Sequence, residues 1–274
     1  MDREAPGGPP SDVVAAFGAT DPPVLLPGGQ GQTWRSGSVV LKPVFLVEEV
    51  AWVAGLLDTI REVGFRLARP RRSRSGDWVV DGWAADEWVP GEQTWDNWES
   101  ALPAVRALHE ALAHVERPEF LDGRDNIWDE GDRAAWADEL PEVYHPELHD
   151  LVEAFASLRR PEDLPSQVIH GDVTGNMLFD QSWPPAFIDF AIYWRPAAFA
   201  EAILVADALA DHEAEPTLTA SLAEQPESLV ARAAIYRLVT SDRFAARQEG
   251  VPAHYLRQRR DAFQRVLNVL LKVG

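Results

Sequence analysis

The stretch from Val168 to Phe190 reads VIHGDVTGNMLFDQSWPPAFIDF, and the rest of the chain is organised around it. Two short apolar runs, Met177-Leu178-Phe179 and Ala186-Phe187-Ile188, are separated by Asp180-Gln181-Ser182-Trp183-Pro184-Pro185. An Asp and paired prolines between apolar runs turn the chain, so the spacing predicts a hairpin. Asp172 and Asn176 precede the first run and Asp189 follows the second, which brings two carboxylates and an amide oxygen to one rim. Hard oxygen donors of this kind suit Mg²⁺ holding a nucleoside triphosphate, and a further carboxylate can take a proton from an attacking hydroxyl.

The same residues resemble the catalytic core of aminoglycoside phosphotransferases and their protein-kinase-like relatives. The resemblance rests on His170-Gly171-Asp172, Asn176 and Ile188-Asp189-Phe190. It implies that Asp172 is the catalytic residue, that Asn176 and Asp189 bind Mg²⁺, and that His170 is a scaffold for the loop. Two positions depart from the pattern. A kinase catalytic loop places Asn five residues after Asp, whereas Asn176 follows Asp172 by four, and Ala191 stands where Asp-Phe-Gly has its glycine. Thr174-Gly175 lets a shorter loop turn tightly, because glycine reaches backbone conformations closed to other residues.

Composition narrows the field further. With 274 residues, 46% of them hydrophobic, the chain has ample material for a packed core of one large or two ordinary domains. A net charge of −19 argues against nucleic acid as a partner and opposes ATP at long range, so a nucleotide site relies on local cations and Mg²⁺. An acidic surface favours a cationic small substrate and serves solubility equally well. The absence of cysteine excludes disulfides, thiolate zinc sites and cysteine nucleophiles. The start, MDREAPGGPPSD, has no basic or apolar run, and no apolar stretch approaches a membrane span, so a cytoplasmic location without membrane contact is expected.

In chain order, Asp12 to Phe17 reads as a short helix capped by Ser11, and Val24-Leu25-Leu26 begins a strand region. Then come a glycine-rich turn containing Gly29 and Gly31, a strand, and Ser38 to Val44 carrying Lys42. Kinases cover nucleotide phosphates with elements in this order, and by the resemblance Gly29, Gly31 and Lys42 contact the phosphates. Trp34 replaces the third glycine of the full motif. A helix is expected over Val47–Ile60, where Glu49 lies on an apolar face with Trp52, Val53 and Leu56 and is the acid expected to pair with Lys42. Two glutamates at a helix start are also favoured by the helix dipole alone.

Arg66, Arg69, Arg71, Arg72 and Arg74 then form a basic cluster, read as a solvated face with a partner patch as the alternative. Trp78 to Trp83 reads as one strand. The segment 86–91 resembles the linker of a kinase, in which the carbonyl of Glu87 and the N–H of Val89 face the adenine. Beyond Gly91, helical periodicity dominates: Trp98–His114, Leu148–Leu158, Phe199–Leu209, Glu227–Arg247 and Ala253–Val273. His109 reads as structural. His145 and His149 stand four apart as zinc ligands on a helix would, although Pro146 lies between them. Arg195 is either the cation that the catalytic loop lacks or the partner of Glu201 or Asp207. No Gly-x-Ser-x-Gly elbow supports a serine hydrolase.

The order of these elements implies an α+β, protein-kinase-like fold of two lobes. An N-terminal nucleotide-binding lobe with an antiparallel sheet covers 1–91, and a larger, mainly helical lobe covers 92–274. The function implied is an ATP- and Mg²⁺-dependent phosphotransferase acting on a hydroxyl of a small molecule. The alternative left open by the short loop is a catalytically impaired pseudokinase that binds nucleotide or a protein partner.

Overall fold

In the computed structural model, residues 7–27, 31–94 and 96–273 are described. The chain groups into two compact units. One runs to Gln93 and takes in Met177–Phe190, and the other comprises Thr94–Asn176 and Ala191–Gly274. The sequence alone gave everything after residue 91 to the second lobe. The 177–190 segment groups instead with the first unit, because its second strand pairs with a strand near residue 66.

The first unit contains β1 (Val24–Leu25), β2 (Trp34–Ser36), β3 (Val39–Pro43), β5 (Val79–Val80) and β6 (Trp83–Glu87) in one sheet, ordered β1-β2-β3-β6-β5 and antiparallel throughout. Side chains alternate across the pleat. Val39, Leu41, Trp83 and Ala85 face one side, where Val13 and Val14 of α1 (Ser11–Ala16) and Phe17 just after it pack on them. Ser11 is the first helical residue and not the cap, since Pro10 holds the capping position with no side-chain bond. Trp78 to Trp83 is a hairpin and not one strand: Asp81 and Gly82 both have positive φ, +46° and +77°. Two such residues make the two-residue turn that matches strand twist.

A second sheet, ordered β4-β9-β8, joins β4 (Arg66–Leu67) to the predicted hairpin β8 (Met177–Asp180) and β9 (Trp183–Phe187). The hairpin turns at Gln181-Ser182, where the Ser182 N–H donates to Asp180 Oδ1 at 2.8 Å. Pro184 and Pro185 fall inside β9, not in the turn. They are tolerated because β4 pairs only with Ala186 and Phe187, so no ladder donor is needed at the prolines on that side. The basic cluster serves the same unit. Arg69 spreads its guanidinium over the carbonyls of Leu57 and Ile60, at 2.5 and 2.6 Å, and caps α2 (Val47–Thr59).

The second unit is helical around a two-stranded ribbon of β7 (Ser166–His170) and β10 (Ile192–Pro196). Its helices are α3 (Trp98–Leu112), α4 (Ile127–Trp136), α5 (His149–Leu158), α6 (Ala197–Asp211), α7 (Pro226–Arg247) and α8 (Tyr255–Val273). From Phe199 to Ala210 every residue of α6 except Glu201 is buried, as expected of a helix apolar all round. The second central helix, α7, packs against α4, α5, α6 and α8. None of the helices among the described residues is long and apolar enough to cross a membrane.

Candidate active site

Lys42 leaves β3 on the face opposite the α1 core. In the antiparallel register Lys42 stands opposite Ala84 and Val40 opposite Asp86, which makes Asp86 the diagonal neighbour of Lys42 on one face. The Nζ of Lys42 lies 3.0 Å from Asp86 Oδ2 and 2.5 Å from Asp189 Oδ1. Burial works against the lysine charge, yet the two carboxylates together outweigh it and hold the Lys42 pKa above its usual value. The pKa of the Asp86 carboxyl is raised as well. Burial pushes its pKa up and Asp189 adds to that, while Lys42 only partly offsets them.

Asp189 closes the segment after β9 with φ of +46°, in the left-handed region that non-glycine residues seldom occupy. Glu49, on α2, lines the same cavity of about 310 Å³ as Lys42, Asp86 and Asp189, with Val50 and Val53 on its apolar wall. Asp86 was not singled out in the sequence, where it read as part of a linker. The pleat was the signal: an acid on the neighbouring strand, two positions from the residue opposite the lysine.

Gly31 adopts φ of +70°, and a side chain there would meet nothing within 4 Å among the described residues, so its need for glycine is conformational. Gly29 lies outside the described residues. Glu87 ends β6 opposite Val39, and its N–H donates to the Arg69 carbonyl at 2.7 Å. Val89 follows two residues later, half-buried.

Asp172 and Asn176 belong to the second unit. The shortened loop closes tightly: the Asn176 N–H donates to the Val173 carbonyl at 3.0 Å, with Gly175 at φ +82° in the position where a type II turn demands positive φ. This turn brings Asn176 back on Asp172, its Nδ2 donating to the Asp172 carbonyl at 2.7 Å and to Oδ2 at 3.2 Å. His170 is a scaffold, its Nδ1 accepting from the N–H of Asp172 at 3.3 Å. Behind it the buried His109 accepts the His170 N–H at 3.1 Å. Burial and the neighbouring His170 lower the pKa of His109 to about 3, so it is neutral. Gly171 is required by packing, since a Cβ there would run into the ring of Tyr193.

The cation beside Asp172 is Arg237 on α7. Its Nη2 donates to Asp172 Oδ1 at 2.7 Å and to Asp207 Oδ2 at 2.6 Å, and its Nε donates to Asp207 Oδ1 at 3.0 Å. Burial opposes the Arg237 charge, and the two carboxylates more than restore it, raising its pKa well above the usual value. Sequence reasoning looked for this cation in Arg195 and missed Arg237. Arg195 instead makes a two-pronged bond to Asp132, at 2.9 and 2.6 Å. The partners offered for it are taken, Glu201 by Arg106 and Asp207 by Arg237. Two opposite charges, each set in an apolar helix as ILVADALA and AAIYRLV, were the available signal.

The histidine pair does not form a metal site. His145 Nδ1 lies 2.8 Å from buried Asp242, His149 Nε2 bonds the Val143 carbonyl, and among the described residues no group of three or more His, Cys, Asp or Glu could hold a metal. Mg²⁺ does not need one, because it takes one or two protein ligands beside phosphate and water. Asn176 in the second unit and Asp189 in the first each carry a hard side-chain oxygen of the kind such an ion takes.

Residues 30–193, well over half of the chain, match the model of the phosphotransferase enzyme family. No curated protein sequence matches the chain. Among solved structures, an aminoglycoside phosphotransferase from Alicyclobacillus acidocaldarius superposes with a TM-score of 0.65 at 16% identity, over 99% of this chain and 96% of that one. A spectinomycin phosphotransferase crystallised with ADP and spectinomycin gives 0.56 at 13% identity, over 94% and 95%. A choline kinase from Streptococcus pneumoniae gives 0.54 at 12% identity, over 95% and 97%. At such identities the likeness is one of fold, and that fold is protein-kinase-like.

Proposed function

Because the chain belongs to the phosphotransferase enzyme family, we propose that it moves the γ-phosphoryl group of ATP to a hydroxyl of a small molecule in a Mg²⁺-dependent reaction. The observation that carries this reading is the meeting of Lys42 and Asp189 at 2.5 Å. Two residues far apart in sequence thereby set a cation suited to phosphate beside a carboxylate suited to a metal ion. Solved structures of the same fold hold ADP in one case and AMP-PNP in another.

Lys42 binds the phosphates, held by carboxylates in its own cavity. Asn176 and Asp189 would hold Mg²⁺, which supplies charge neutralisation for the phosphates. Asp172 accepts the proton of the acceptor hydroxyl as its oxygen bonds to the γ-phosphorus and the bond to the bridging oxygen of ADP breaks. Most of the rate comes from positioning and charge neutralisation. The tight turn at Gly175 supports a working loop over the pseudokinase alternative, because it returns Asn176 to Asp172 despite the missing residue. We further read the acceptor as a small cation, in keeping with a net charge of −19, with no nucleic acid or membrane partner and a cytoplasmic setting.

Thermal denaturation with and without ATP plus Mg²⁺ tests the nucleotide site, followed by a search for ADP release with amino alcohols, sugars and aminoglycosides as acceptors. Nucleotide at 100 times its Kd should stabilise the fold by about 2.7 kcal/mol. That gain should vanish in Asp189→Asn. Stabilisation without ADP release from any acceptor would favour the pseudokinase, and no stabilisation at all would remove the proposal.

A further inference from the structure

Resting on the phosphotransfer reading, we infer that Arg237, anchored by Asp207, is a positioning residue that fixes the rotamer of Asp172 and selects Oδ2 as the oxygen that receives the acceptor proton. The argument starts from the loop. Asp172-Val173-Thr174-Gly175-Asn176 contains no cation and is one residue shorter than a kinase catalytic loop, so little within it restrains the Asp172 side chain. The restraint comes from helix α7. Arg237 occupies Oδ1 at 2.7 Å, a charge-assisted bond of ordinary strong length, whereas among the described residues Oδ2 receives only the longer 3.2 Å contact from Asn176.

Arg237 itself cannot swing. Both prongs of its fork end on Asp207, which is buried in α6, so two core helices meet at this pair. A fork anchored on one carboxylate therefore clamps the other through its shared Nη2. The Asp172 side chain remains 35% exposed, which leaves the second oxygen open to an incoming hydroxyl. A base must lie within hydrogen-bond reach of its proton, and a displacement of about 1 Å can cost ~10²-fold in rate.

Arg237→Ala strands the buried Asp207 and threatens folding, so the decisive enzyme is the double variant Arg237→Met with Asp207→Leu. Replacing a buried ion pair by apolar residues of similar volume preserves stability, yet removes the clamp. Turnover is read as ADP released from MgATP with the acceptor found by the panel, or with water. The expected result is a kcat lower by roughly 10²-fold with the KM for MgATP within about twofold of the wild type. Arg237→Lys, which keeps the charge but loses the fork, should fall between the two. A folded double variant that keeps the wild-type kcat would overturn the clamp and leave the phosphotransfer reading intact. A wild-type protein that releases no ADP with any acceptor would overturn both.

Discussion

Lys42 on β3 and Asp86 on β6 meet at 3.0 Å as diagonal neighbours on the face of the sheet that looks away from the α1 core. Asp189 also touches Lys42, but its carboxylate is the one we propose for the metal. Asp86 is therefore the acid free to hold the lysine when nucleotide is present. Asp86→Asn should weaken MgATP binding by roughly tenfold, the worth of one charge-assisted hydrogen bond. Calorimetric titration measures this directly. An unchanged affinity would return the lysine to another acid of the cavity, such as Glu49.

The Arg195–Asp132 pair makes a different claim. Since its fork is spent on Asp132, Arg195 is structural, and Arg195→Ala should cost about 2 kcal/mol of stability by leaving the largely buried Asp132 carboxylate unpaired. Denaturant midpoints report the loss, and the KM for MgATP should not move. A raised KM with unchanged stability would restore Arg195 to the phosphoryl group.

Gly171 sits against Tyr193, whose hydroxyl is 3.2 Å from that of Tyr236 on α7. Gly171→Ala forces this aromatic pair apart and should destabilise by about 2 kcal/mol, in the range of overpacking in a tight core. Urea unfolding of the two proteins side by side decides the matter. Equal midpoints would mean that the Tyr193 ring has room to retreat.

His109 gives a pH dependence with a defined sign. Its native pKa, about 3, lies below the unfolded value near 6.5, so below that pH the unfolded chain binds a proton that the native state refuses. The contribution of His109 to stability is complete above about pH 6.5 and falls as pH drops toward 3, with a loss of about 2 kcal/mol by pH 5. A His109→Gln protein should lack this segment of the stability curve. Parallel curves for the two proteins between pH 7 and 5 would show that His109 is not the group responsible.

How much of this was legible beforehand follows from the range of the forces involved. Helices read from 3.6-residue periodicity were found nearly to the residue, as at Glu227–Arg247, because each is set by apolar spacing inside one segment. The hairpin of 177–187 was equally local, although its turn proved to be Gln181-Ser182 once strand pairing admitted the prolines. Turn chemistry was under-read at Asp81-Gly82, where positive φ at both residues folds one expected strand into two.

The sequence by itself determined the class of fold, the order of its elements and the short loop with Asp172 and Asn176, because these depend on residues close along the chain. Tertiary structure alone decided which charges meet. Lys42 is 44 residues from Asp86, and Arg237 is 65 from Asp172 and 30 from Asp207. A half-buried or buried charge takes whichever opposite charge the packing brings within about 3 Å, since leaving it unpaired costs more than any local preference can return. Strand register placed Asp86 beside the lysine, and the packing of α6 against α7 placed Arg237 beside Asp172.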